Sequence, residues 1–176
     1  IVSGVARRSL ALMLSLHYLE RRHQITSELL DAEAKRVRLG EAVFTPIDAR
    51  SGYYHSKRAD GINGYEIPFD YRGMVERFPS VSMSEVLAGR HDPELFHNRI
   101  VLIGTIAPSL KDRFYTPYNA RPFAADPRGS YMSGVVIHAN AVSYLVDVAM
   151  GRRPQLWWLP HAVIYAWIAL AAGVGA

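Results

Sequence analysis

Arg99-Ile-Val-Leu-Ile-Gly104 opens the stretch RIVLIGTIAPSLKDRFYTPYN, residues 99–119, and its reading decides the fold. An unbroken apolar run of this length suits a strand covered on both faces, which is the pattern of a central, parallel strand. The run ends at a glycine, where a ligand or another backbone can approach closely. A polar loop follows, with Thr105, Ser109, Lys111, Asp112, Arg113 and Thr116. In open α/β sheets ligands gather beyond the carboxyl ends of such strands. The spacing itself favours a plainer role, in which Asp112 and Thr116 bond to their own loop.

Working outward, GVVIHANAVSYLV begins a helix predicted over Gly134–Met150, with Val136, Ala139, Asn140, Ser143 and Val146 or Asp147 at helical spacing. From Pro154 to Ala176 there is no Asp, Glu, Lys or Arg. That segment is predicted to form a membrane-crossing helix, since the hydrocarbon core is about 30 Å thick and needs about 20 apolar residues. Trp157 and Trp158 stand near its start, where aromatic rings favour the headgroup layer. Both ends of the chain are expected to be cuts within a longer polypeptide, since it starts without Met and stops mid-span or just past an apolar span.

Upstream, the leucines at 10, 12, 14, 16 and 19 predict a buried helix over Ser9–Glu20. A second helix is predicted over Thr26–Leu39, capped by Thr26 and stopped by Gly40. Glu41–Ile47 is a short strand candidate, and Asp48–Gly64 a polar linker with two turn signals. Tyr65–Tyr71 alternates aromatic or apolar with polar residues and reads as another strand. Ser82 and Glu85 form a capping-box signature ahead of a short helix ending at Leu87. The whole is α/β, a layered helix–sheet domain with a partly parallel sheet. Three strands are few for it, so part of the sheet is expected to lie outside this chain.

The composition narrows the chemistry. The chain has 176 residues, 20 Lys+Arg against 16 Asp+Glu, a net charge of +4 and no cysteine. Without cysteine there is no disulfide scaffold, thiolate zinc site or cysteine nucleophile. The basic residues come as short pairs, such as Arg7–Arg8 and Arg152–Arg153, never as a long run. We therefore expect no nucleic-acid partner. No HxxxH pair and no phosphate-binding glycine loop is present, so neither a metal nor a cofactor is expected. His138 and Asn140 fall near a helix start, where free N–H groups favour anions. A lone His on an apolar helix is more often structural. A hydrolytic centre could be drawn from Asp112, His138 and Ser109 or Thr116, and it requires Asp112 and His138 within about 3 Å or bridged by one water. No nucleophile elbow supports it.

Four segments in order carry a resemblance: INGYEIPFDYRG (62–73), VSMSEVLAG (81–89), RIVLIGTIAPSLKDRFYTP (99–117) and GVVIHANAVSYLV (134–146), followed at once by the apolar segment. Together they resemble the CHASE2 domain, from about Ser9 to the end. The resemblance implies an extracytoplasmic sensor module of a bacterial membrane receptor. The receptor would be an adenylate or guanylate cyclase first and a histidine kinase second. It divides the chain into a sensor part, 1–153, and a membrane helix, 154–176. It also implies a periplasmic setting at the inner membrane, a homodimer, and a small-molecule or environmental cue. Family members usually carry a further N-terminal half, so the chain is expected to be the C-terminal part.

Signature positions are Tyr71, Arg72, Gly104, Asp112, Thr116, Pro117, Gly134, His138 and Asn140. Candidate ligand-binding residues are Arg72, Thr105, Asp112, Thr116, His138 and Asn140. Asp112, Thr116 and His138 are expected to stand together at the carboxyl edge of the sheet. Arg152 and Arg153 sit on what would be the outer side of the membrane, against the positive-inside preference. A purely dimerising module stays open as an alternative to sensing.

Overall fold

The computed structural model describes residues 8–47, 65–120, 131–157 and 161–174. The predicted linker at Asp48–Gly64 lies outside the described residues. The helices are α1 (Leu10–His23), α2 (Met83–Leu87), α3 (Gly134–Ala149) and α4 (His161–Val174). The strands are β1 (Ser27–Asp31), β2 (Arg36–Leu39), β3 (Ala42–Phe44), β4 (Arg113–Phe114) and β5 (Met132–Ser133). Two compact units result. One takes residues 26–47, 65–69, 148–157 and 161–174 of those described; the other takes 8–25, 70–120 and 131–147.

The first unit is built on the antiparallel meander β1-β2-β3. This corrects the helix expected over Thr26–Leu39. Asp31 accepts hydrogen bonds from the N–H groups of Glu33 and Ala34 at 2.9 Å each, and so turns the chain where a helix would have continued. Lys35 then adopts a positive φ of 51°, and Val37 and Leu39 alternate on the returning strand. Helix formers in a row were outweighed by one short polar side chain that closes a turn. The strand expected over Glu41–Ile47 is present as β3. The strand expected over Tyr65–Tyr71 is not formed. Pro68 has no N–H to give a ladder, although Ile47 N–H still donates to the Glu66 carbonyl at 2.7 Å. The Tyr65 hydroxyl donates to the Phe44 carbonyl at 2.9 Å, and burial raises its pKa above the usual phenol value.

In the second unit α1 buries Ala11, Ser15 and Leu19, one face at a spacing of four. Ser9 caps this helix, accepting from the Leu12 N–H at 3.3 Å. The capping box of α2 is formed as read: Ser82 accepts from the Glu85 N–H, and Glu85 accepts from the Ser82 N–H at 3.0 Å. Helix α3 is the most buried element, with Val136, Asn140, Val142 and Tyr144 to Asp147 inside.

Residues 99–107 form no strand. This corrects both the central strand and the partly parallel sheet, because every described strand pair is antiparallel. An apolar run becomes a central strand only with a neighbour on each side. Among the described residues nothing pairs with it, and Ile103 is 80% exposed. Of the C-terminal segment predicted to cross a membrane, residues 158–160 and 175–176 lie outside the described residues. Helix α4 covers 14 residues, about 21 Å at 1.5 Å per residue. No helix among the described residues is long and apolar enough to cross a membrane.

Candidate functional site

Register places the first group of residues. β4 pairs with β5 so that Arg113 faces Ser133 and Phe114 faces Met132. One step further along the same register, Asp112 falls opposite Gly134, the first residue of α3. The Gly134 N–H donates to the Asp112 backbone carbonyl at 3.3 Å and to its carboxylate Oδ2 at 3.2 Å. A carboxylate here faces the positive end of the helix dipole and satisfies a terminal N–H. The fit is tight, since a Cβ on Gly134 would stand 2.6 Å from both carboxylate oxygens. Gly104 lies equally close to the same turn: a Cβ there would be 2.5 Å from the Val135 Cβ. The two glycines thus let the 99–112 segment lie against the start of α3.

Asn140, two turns into α3, is fully buried. Its Oδ1 accepts the backbone N–H groups of Arg72 at 2.7 Å and Gly73 at 3.2 Å. Its Nδ2 donates to the carbonyls of Gly73 at 3.0 Å and Val136 at 2.9 Å. One amide therefore replaces the secondary structure that the strap at 70–73 lacks, and meets the demand that buried backbone groups be paired. Gly73 has φ of +151°, a conformation that L side chains rarely adopt.

Arg72 completes the attachment. Its guanidinium donates to the Asp147 carboxylate, two turns beyond Asn140 on α3. The Asp147 side chain is 10% exposed and that of Arg72 is 44% exposed. A carboxylate in the last turn of a helix is opposed by the dipole, so Asp147 depends on its cation. Ser143 donates a longer bond of 3.5 Å to the same oxygen. The strap is held from its other side by Tyr118, whose hydroxyl donates to the Tyr71 carbonyl at 3.3 Å. The Tyr71 and Tyr118 rings meet edge to face at 6.1 Å. Burial raises the Tyr71 pKa.

A separate aromatic group lies beside β4 and β5. Tyr115 and Tyr131 share a short hydroxyl–hydroxyl hydrogen bond, and the Arg113 guanidinium sits 4.8 Å from the Tyr131 ring centre. The Tyr115 bond raises the Tyr131 pKa, with the Arg113 charge opposing it.

The six sequence candidates thus fall into distinct settings. Asn140 on α3 and Arg72 on the strap come together. Asp112 serves the first turn of α3. Thr105 accepts the Ala107 N–H at 3.1 Å and organises its own turn. Thr116 is buried at 8% exposure, and His138 is exposed on α3. No direct hydrogen bond or ion pair joins His138 to Asp112. The strand whose carboxyl edge was expected to gather Asp112, Thr116 and His138 is not formed at 99–104. Among the described residues no group of three or more His, Asp or Glu could hold a metal ion. Asp147 was missed as a partner. Its signal was present: it lies seven residues after Asn140, on the same helix face, with the one signature arginine upstream.

A family model for the CHASE2 domain matches residues 2–176. No curated protein and no solved structure matches the chain.

Proposed function

The chain belongs to the CHASE2 domain family, whose members are extracytoplasmic sensor modules of signalling receptors, and we propose that it is the sensing part of a membrane-bound bacterial receptor. The receptor's output is a cytoplasmic adenylate or guanylate cyclase, with a histidine kinase as the second choice. The module sits on the periplasmic side of the inner membrane and works as a homodimer. Its cue is a small molecule or an environmental change, bound differently by two states of the dimer.

The observation that carries this reading is the commitment of the signature polar residues to internal bonds. Asn140 and Asp112 spend their hydrogen bonds on the strap and on the first turn of α3. What they build is a locked arrangement of strap and helix. Arg72 and His138 keep solvent-facing surface and are the two candidates left to meet a cue. The uncharged helix α4, with Tyr165, Trp167, Ile168 and Leu170 exposed, is suited to contact the membrane.

The test is a thermal-shift screen of the full-length receptor in nanodiscs against metabolites and ions. A ligand present at 100 times its dissociation constant adds about 2.7 kcal/mol. A shift that Arg72→Ala or His138→Ala removes without loss of folding supports the reading. A broad screen without any shift counts against a small-molecule cue.

One observation favours a second reading, a dimerising module. Val101, Ile103, Ile106 and Leu110 are exposed along one segment. Sedimentation and the ligand screen together separate the two: a receptor that loses its dimer with Ile103→Lys, and whose wild type shows no ligand shift, favours dimerisation as the whole role.

A further inference from the structure

Helix α3 ends at Ala149, Gly151 follows with φ of +67°, and a short stem continues from there to Trp157. That stem is fastened to β3 by side-chain and backbone bonds outside any ladder. In the β2–β3 register Arg38 faces Val43, while Leu39 faces Ala42 and Val37 faces Phe44. Alternation along an antiparallel strand turns the N–H and C=O of Val43 away from β2, onto the free edge. Such an edge normally invites another strand. Here the Gln155 amide takes both groups: the Val43 N–H donates to Oε1 at 3.1 Å, and Nε2 donates to the Val43 carbonyl at 2.8 Å. Two residues back along the same edge, the Glu41 N–H donates to the Ala149 carbonyl at 2.9 Å, at the end of α3. The Glu41 carboxylate lies over Gly151, where a Cβ would stand 2.1 Å from it.

We propose that Gln155 is a clamp that sets the position of the stem, so that the β1–β3 meander governs how α4 leaves the domain. The inference rests on the sensor reading above and adds the coupling point to it. A primary amide is the one uncharged side-chain group that can donate and accept in parallel, as a strand does. Unlike a strand it lets go by rotating a single side chain, without unfolding the edge it held. The clamp also closes the β3 edge to foreign strands.

The experiment uses the full-length receptor in nanodiscs, with two readouts: hydrogen exchange over residues 41–45 and the output activity. Gln155→Ala is expected to speed exchange at Val43 by about tenfold, through local opening, while α1 stays protected. It is also expected to shift basal output by about threefold or more at equal protein level, a coupling of ordinary size. Gln155→Glu keeps the acceptor and loses the donor, so it is expected to fall between. Unchanged exchange at Val43 overturns the clamp. Faster exchange with wild-type output overturns its coupling role and leaves only an edge cover. Arg72→Ala, measured alongside, separates the two levels. If it shifts output while Gln155→Ala does not, the clamp fails and the sensor reading stands. If neither variant shifts output, both fail.

Discussion

Replacing Asn140 with alanine tests the lock between strap and helix most sharply. The side chain is fully buried and bonds to both the N–H and the C=O of Gly73, itself buried. Alanine removes both partners. Each buried polar group left without a partner costs about 1–3 kcal/mol. The Arg72 N–H adds less, since its bond to Asn140 is only partly buried. The Val136 carbonyl keeps the bonds of its own helix and adds nothing. Two full losses, together with the small cavity, put the destabilisation at about 3–5 kcal/mol, near the top of the range for single substitutions. Urea unfolding followed by circular dichroism measures it, with the slope checked for constancy. Asn140→Asp at neutral pH should be at least as damaging, because it cannot donate to Gly73 and buries a charge. A loss below about 1 kcal/mol for Asn140→Ala would refute the reasoning, since it would mean water replaces the amide without cost.

Other consequences follow from the same geometry. Gly134→Ala forces a methyl against the Asp112 carboxylate and should cost about 1–3 kcal/mol; Asp112→Ala in the same chain should recover part of that loss in the same unfolding assay. Arg72→Ala leaves a largely buried Asp147 without its cation. With Arg72 itself 44% exposed, the loss should be about 1–2 kcal/mol, below that of a fully buried pair. A double-mutant cycle with Asp147→Ala should return a coupling of about 0.5 kcal/mol or more, and additivity would deny the pair. Ser82 holds the Glu85 carboxyl below its ordinary pKa. A depressed carboxyl stabilises above its unfolded pKa and stops doing so as pH falls through the folded value. Exchange protection of α2 should therefore drop on acidification in the wild type and stay flat in Glu85→Gln.

How far these features could be read beforehand depended on whether the deciding contacts were local. The α2 capping box, the α3 span and the β3 strand were legible, because caps and periodicity act within one or two turns of chain. The β1–β2 hairpin was not, since its helix-forming residues are turned by the Asp31 side chain, a competitor that propensity does not weigh. Arg99–Gly104 was misread for the opposite reason. Its apolar run describes a preference for company on both sides, and whether that company arrives is a matter of tertiary structure. Asn140 was found from its place in the signature, but its role was not, as its partners lie 67 and 68 residues away in the chain. Asp147 stood on the same face with the same partner loop, and only the fold connects it to Arg72.

The most direct measurement is the output activity of the membrane receptor proposed above, wild type against Arg72→Ala, at matched protein levels. In the proposed sensor the strap-to-helix lock sets the signal. Releasing the lock is predicted to move basal output by several-fold and to blunt further regulation, with the receptor still folded and inserted. Output and regulation indistinguishable from wild type, in a protein whose strap has demonstrably lost its exchange protection, would contradict that role.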